Sequence, residues 1–110
     1  MKKALTINKK LFHFNDNQER VEGPPPGLLN TAHIYGNATG LTESAQNITG
    51  DVSNIIGAIN LGLHGEVSDL SGDITGTTGV ASRKIGDLTE CKIGEEDREK
   101  GVDLDKLVAN

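Results

Sequence analysis

The sequence predicts an all-β fold, a short β-solenoid of the parallel β-helix kind. Three observations carry that expectation: a seven-residue repeat, continuous rows of like residues at fixed repeat positions, and a glycine density that no long helix tolerates. The unit Gly-Asp-Val-Ser-x-Leu-x recurs with variation from Gly36 to Ile93. Its register runs through glycines 36, 50, 57, 65, 72, 79, 86 and 94, separated by 14, 7, 8, 7, 7, 7 and 8 residues. The 14 contains a degenerate copy, 43–49, which lacks the leading glycine but keeps Ala45 and Ile48.

The third position of successive units reads Ala38, Ala45, Val52, Ile59, Val67, Ile74, Ala81 and Leu88, one apolar row. The fourth reads Thr39, Gln46, Ser53, Asn60, Ser68, Thr75, Ser82 and Thr89, mostly small hydroxyls. A second, less regular apolar row passes through Leu41, Ile48, Ile55, Leu70 and Cys91. The unit after Gly57 offers it Leu61 or Leu63, and the unit after Gly72 only Thr77.

Apolar residues spaced by three and four also fit a coiled coil. Glycine argues against it. Ten glycines lie between residues 36 and 93, and at about 1 kcal/mol each they would cost a helix on the order of 10 kcal/mol relative to alanine. Val, Ile, Thr, Ser, Asn and Asp add to the penalty, and the flanking positions lack the alternating Glu and Lys that pair coiled-coil helices. In a solenoid the same residues are consistent with one another. Glycine with Asn or Asp supports tight corners, β-branched residues fill short strands, and like positions stack into ladders. The hydroxyl row is expected to hydrogen-bond along the stack or to corner backbone. Three units per turn would make fewer than three coils from residues 36–93, and two would make about four. Either stack is on the order of 10 to 20 Å high, with ends that need covering.

Taken in order, residues 1–33 read as an N-terminal cap and connector. Ala4-Leu-Thr-Ile and Leu11-Phe-His-Phe are strand-like, with Asn8-Lys-Lys as a turn between them. A polar stretch, 15–22, follows. Gly23-Pro-Pro-Pro-Gly27 fits neither helix nor central strand and reads as an extended connector into Leu28-Leu29. Residues 34–94 form the repeat body. Residues 95–110 read as a charged helical cap: Glu95-Glu-Asp-Arg-Glu-Lys100 makes a helical turn stopped by Gly101, and Asp103 caps a short helix presenting Leu104, Leu107 and Val108.

At 110 residues the chain reads as one domain. Aromatics are 3% and hydrophobics 35%, a thin supply for a conventional core, so a stacked aliphatic interior and oligomerisation are both expected. Cys91 stands alone at an apolar repeat position and reads as a small core residue of a reducing compartment. The start of the chain lacks a signal-peptide core and no segment reads as a membrane span, so a cytoplasmic location is expected. The sequons at Asn37 and Asn47 then read as ordinary repeat residues.

Charge is uneven. Residues 1–20 carry five basic and two acidic side chains, 21–82 none and six, and 83–110 six and eight. Second-position Asp51, Glu66, Asp73 and Asp87 are expected at corresponding corners, forming an acidic ridge that repels nucleic acid and suits a basic protein surface. Asp69 lies beside them, and Glu95, Glu96 and Asp97 extend the acidic character into the tail. The competing reading is structural: corner aspartates satisfy turn backbone and keep a repeat protein in solution. His13, His33 and His64 lack metal-ligand spacing and read as surface or turn residues. A seven-residue unit with one acid supplies few oxygens for calcium, and no phosphate loop, nucleophile elbow or Cys-His pair is present, so no cofactor, metal or enzymatic activity is expected.

The passage Gly86-Asp-Leu-Thr-Glu-Cys-Lys-Ile-Gly-Glu-Glu-Asp-Arg-Glu-Lys-Gly-Val-Asp-Leu-Asp-Lys-Leu-Val108, following the Gly-Asp-Val-Ser-like units, resembles small repeat proteins of bacteriophages and prophages. The likeness spans about residues 34 to 108, with departures at Glu43, Ala58, Thr77 and Gly79-Val80. It implies a viral or mobile-element origin. Two function classes follow as expectations. In the first, the protein is a non-enzymatic accessory factor that binds a host protein with a basic surface, such as a CRISPR or other defence nuclease, and inhibits it. In the second it is a virion fibre or attachment component forming a trimeric β-helix.

Overall fold

The computed structural model describes residues 1–5 and 10–109. Its strands are β1 (Leu11–Phe14), β2 (Arg20–Glu22), β3 (Leu28–Leu29), β4 (Ile34–Asn37), β5 (Leu41–Ser44), β6 (Ile48–Asp51), β7 (Ile55–Ile59), β8 (Leu63–Glu66), β9 (Leu70–Asp73), β10 (Thr77–Val80), β11 (Gly86–Asp87) and β12 (Val102–Asp103). They wind into a β-solenoid with two stacks, β12-β10-β8-β6-β4-β1-β2 on one face and β11-β9-β7-β5-β3 on the other. The stacked strands pair in parallel, and only the β1–β2 hairpin is antiparallel. Equivalent inward residues Ile34, Ile48, Leu63 and Thr77 are 14, 15 and 14 residues apart, so each coil holds two seven-residue units. The strand pairs β3–β4, β5–β6, β7–β8 and β9–β10 make four coils, and β11–β12 a fifth.

Two units per coil turn one sequence row into two spatial ladders. All eight third-position residues are buried, and successive members alternate between the two corners of the coil. The second apolar row supplies the rest of the interior. Leu63 is fully buried while Leu61 is 58% exposed, which settles the choice between them. Thr77 fits the apolar row because its hydroxyl donates to the Ile74 carbonyl at 2.6 Å, which satisfies a group that would otherwise be costly to bury. Cys91 is exposed rather than in the core: its unit leaves the strand geometry for a 3-10 turn, Leu88–Cys91, whose one buried residue is Leu88.

The Gly-Asp-x-Ser motif is a device for joining coils. The Ser or Thr of one coil accepts the backbone N–H that follows the glycine of the coil before: Asn37 to Ser53, Asp51 to Ser68, Ala58 to Thr75 and Glu66 to Ser82, at 2.9 to 3.2 Å. Oδ1 of the aspartate two residues earlier accepts from that same Ser or Thr, as Asp51 does from Ser53 and Asp73 from Thr75. Glycine leaves room for this arrangement. At Gly36 and Gly57 a Cβ would fall well inside contact distance of the next coil's aspartate and hydroxyl oxygens.

Two departures from the motif compensate each other. Glu43 stands at a glycine position with φ +75°, and the unit stacked against it carries Ala58, with no carboxylate, in the aspartate position. Its Cβ therefore meets no crowded acid.

Both ends are built differently from the body. The N-terminal hairpin pairs β1 with β2, from the stretch read as a polar connector, while Ala4 and Leu5 lie outside any strand. The remainder of the proposed Ala4–Ile7 strand, and most of the Asn8-Lys-Lys turn, lie outside the described residues. Asn15 closes the hairpin by accepting the N–H groups of Asn17 and Glu19. Phe12 and Phe14 meet edge to face at 5.9 Å and Arg20 lies 3.8 Å over the Phe12 ring. His13 is buried rather than at the surface, its Nδ1 3.0 Å from the Gly23 carbonyl. Residues 23–27 form no strand or helix before β3 begins.

At the other end, helix α1 (Glu95–Lys100) stops at Gly101 with φ +91°. Arg98 reaches back to donate to the Asp73 and Thr75 carbonyls at 2.9 and 2.6 Å. The chain then rejoins the stack as β12, and Asp103 caps the 3-10 turn Leu104–Leu107, burying Leu104 in the core. The stack thus extends past residues 34–94 on both sides.

Candidate functional site

The acidic residues of the body fall on two corners instead of one ridge. Asp51 and Glu66 end β6 and β8 of one stack, and Asp73 and Asp87 end β9 and β11 of the other. The division follows directly from two units per coil, which sends alternate units to opposite corners. Asp69 follows Glu66 around the first corner, so Asp51, Glu66 and Asp69 form one group on two adjacent coils. Glu95, Glu96 and Asp97 open α1, whose Arg98 contacts the second corner. They therefore group with Asp73 at the capped end, apart from the first corner.

The two groups differ in what their carboxylates do. Asp51 Oδ1 accepts from both the N–H and the hydroxyl of Ser53, and Glu66 accepts from the Ser68 hydroxyl at 2.8 Å. These hydrogen bonds are within the fold, so the structural reading of corner aspartates holds for much of their chemistry. Among the described residues, however, none of Asp51, Glu66 and Asp69 belongs to an ion pair. Residues 21–82 contain neither Lys nor Arg, and Arg83, which follows Ser82 on the next coil of the same corner, forms no ion pair with them.

On the second corner Asp73 is held by its surroundings. Burial raises its pKa, but hydrogen bonds from the Thr75 hydroxyl and N–H, together with the Arg98 guanidinium 3.9 Å away, outweigh it and leave the pKa below the ordinary aspartate value. Asp87 accepts from the Thr89 N–H and caps the 3-10 turn that follows.

The sign of the Asp73 shift sets a pH dependence. A depressed folded pKa favours the folded state above the unfolded pKa, near 3.9 for an ordinary aspartate. That contribution is lost as pH falls through the lower folded value. Asp73→Asn is expected to be less stable than the wild type at neutral pH, with the difference closing on acidification below about pH 4. Thermal unfolding followed by circular dichroism across that range checks this. A difference that persists undiminished in acid would show that the carboxylate charge is not the source.

No family model, curated protein or solved structure matches this chain. Among the described residues no cluster of His, Cys, Asp and Glu is arranged to hold a metal ion, and no helix is long and apolar enough to cross a membrane. One shallow concavity of about 370 Å3 adjoins the first acidic corner, bounded by Tyr35, Thr49 and Glu66. The sequence reading placed Asp51, Glu66, Asp69, Asp73 and Asp87 together and missed that Asp73 and Asp87 fall on the other corner. The signal was present in the 14-residue spacing between alternate units, once two units are assigned to each coil.

Proposed function

We propose that this protein is a non-enzymatic accessory factor of a phage or mobile element that binds a basic protein surface through the Asp51–Glu66–Asp69 corner. The observation that supports this reading is a stacked group of carboxylates on adjacent coils, without ion-pair partners, in a stretch, residues 21–82, that contains no Lys or Arg. Such a surface attracts cationic partners and repels phosphates. A host defence nuclease, whose nucleic-acid groove is basic, is a partner of the right chemistry, and occlusion of that groove would inhibit it.

The test is affinity capture from host lysate with reversal variants. Asp69 is the cleanest position, because Asp51 and Glu66 also hold their corner serines. Glu66→Lys with Asp69→Lys is expected to weaken capture of a host nuclease at least about tenfold while preserving the β-rich circular dichroism spectrum. Reversal of Glu95, Glu96 and Asp97 is expected to leave capture unchanged. Recovery of no defence protein by well-folded wild-type bait would sink the proposal, and loss of capture only with the helix reversals would move the contact to α1.

A further inference from the structure

Beside the last coil lies a groove of about 550 Å3, bounded by β11, the 3-10 turn Leu88–Cys91 and residues 104–109. Its apolar lining includes Ile85, Leu107 and Val108, and Ile85 is 83% exposed. The groove does not lead into the core, which Leu88 and Leu104 close with only 4% and 2% exposure. An apolar centre of this kind on a small chain marks a surface that another molecule covers.

Charge identifies that molecule. Arg83 borders the groove where β10 turns towards β11, and Glu90 borders it in the 3-10 turn at the opposite corner of the coil. Both side chains are exposed, and among the described residues neither forms an ion pair. Lys84 and Asp87 line the groove too, but Lys84 is paired with Asp105 at 2.7 Å and Asp87 caps the 3-10 turn, which leaves Arg83 as the cation at one corner, Glu90 as the anion at the other and apolar residues between them. The surface is complementary to itself under a two-fold rotation that exchanges the corners.

We infer that the C-terminal end of the solenoid is a dimer interface for a second copy of this chain, packed end to end across a two-fold axis. Arg83 of each copy faces Glu90 of the other, and Ile85, Leu107 and Val108 meet at the centre. Two-fold contacts of this type use the same patch on both subunits, with an apolar middle and a polar rim. Cys91 lines the same groove, so dimerisation shields its thiol.

Charge reversal tests the geometry. Sedimentation equilibrium of the wild type is expected to show a concentration-dependent monomer–dimer equilibrium, with Cys91 alkylation slowing as dimer accumulates. Arg83→Glu and Glu90→Arg each put like charges opposite one another twice and are expected to raise the dissociation constant at least about tenfold. The double variant restores opposite pairs and is expected to regain dimerisation. An equimolar mixture of the two single variants, one carrying two acids and the other two bases, is expected to form a 1:1 heterodimer. Circular dichroism confirms that each variant remains folded. A wild type that stays monomeric at all concentrations, leaving the groove to some other partner, overturns the inference. So does a dimer indifferent to both single reversals, or a double variant and a mixture that both stay monomeric.

Discussion

Gly57→Ala is expected to destabilise the protein by at least about 3 kcal/mol, a large share of the total for a domain of this size. Two costs combine. Gly57 has φ +109°, where an alanine is strained whatever the space around it. A Cβ there would also fall well inside contact distance of both Asp73 Oδ1 and Thr75 Oγ1 and lie 3.2 Å from the Thr75 nitrogen. Those atoms cannot simply step aside, because Thr75 Oγ1 accepts the Ala58 N–H and Asp73 Oδ1 accepts from Thr75. Moving them breaks the link between two coils.

Two comparison variants separate the contributions. Gly23→Ala has a similar φ of +100° but nothing within 4 Å of the added carbon, so it is expected to cost only about 1 kcal/mol. Glu43→Gly relieves an existing positive φ and is expected to be neutral or to stabilise by up to about 1 kcal/mol. Urea unfolding of the three variants gives the ordering. Equal losses at Gly57 and Gly23 would mean that backbone conformation alone decides, and that the carboxylate-and-hydroxyl packing above Gly57 is soft.

Leu63→Ala is the second large effect, at about 2 to 5 kcal/mol. Leu63 is completely buried, and the coils above and below are fixed by backbone ladders, so little collapse can fill the void. Leu61→Ala, two residues earlier and 58% exposed, is expected to change stability by less than about 0.5 kcal/mol. Denaturant midpoints for this pair check which leucine continues the second apolar row. A comparable loss at Leu61 would place that side chain in the interior and contradict the register of β8.

The fold was legible because the repeat encodes a local geometry many times over. Each third-position side chain is buried, as the unbroken Ala, Val, Ile and Leu row implies. The hydroxyl row could be assigned to coil-to-coil hydrogen bonding from residue type alone, and Ser53, Ser68, Thr75 and Ser82 do that. Less legible were features set by which units become neighbours in space. A seven-residue period is compatible with two or three units per coil, and that choice decides whether Asp51 and Asp73 share a corner. Cys91 was misplaced because row membership assumes that the strand continues, whereas Asp87 starts a 3-10 turn and ends it. His13 looked like a surface residue because its burial depends on β1 folding back against a later segment, a contact ten residues long in sequence to Gly23.

The candidate site was legible only in outline. Residue counts revealed the absence of Lys and Arg from residues 21–82, but not that Arg98 returns from the tail to cover Asp73. That contact links residues 25 apart in sequence and has no periodic signature.

Two seven-residue units per turn also constrain how such a chain can change length. Adding or losing fourteen residues inserts or removes a whole coil and leaves every later side chain facing the same way. Adding or losing seven exchanges the two corners for everything downstream, and between Asp73 and Arg98 it carries Arg98 and α1 to the opposite side of the stack from Asp73. Viable length variants should therefore differ by even numbers of units, so that the parity of the repeat count is inherited even where its length is not.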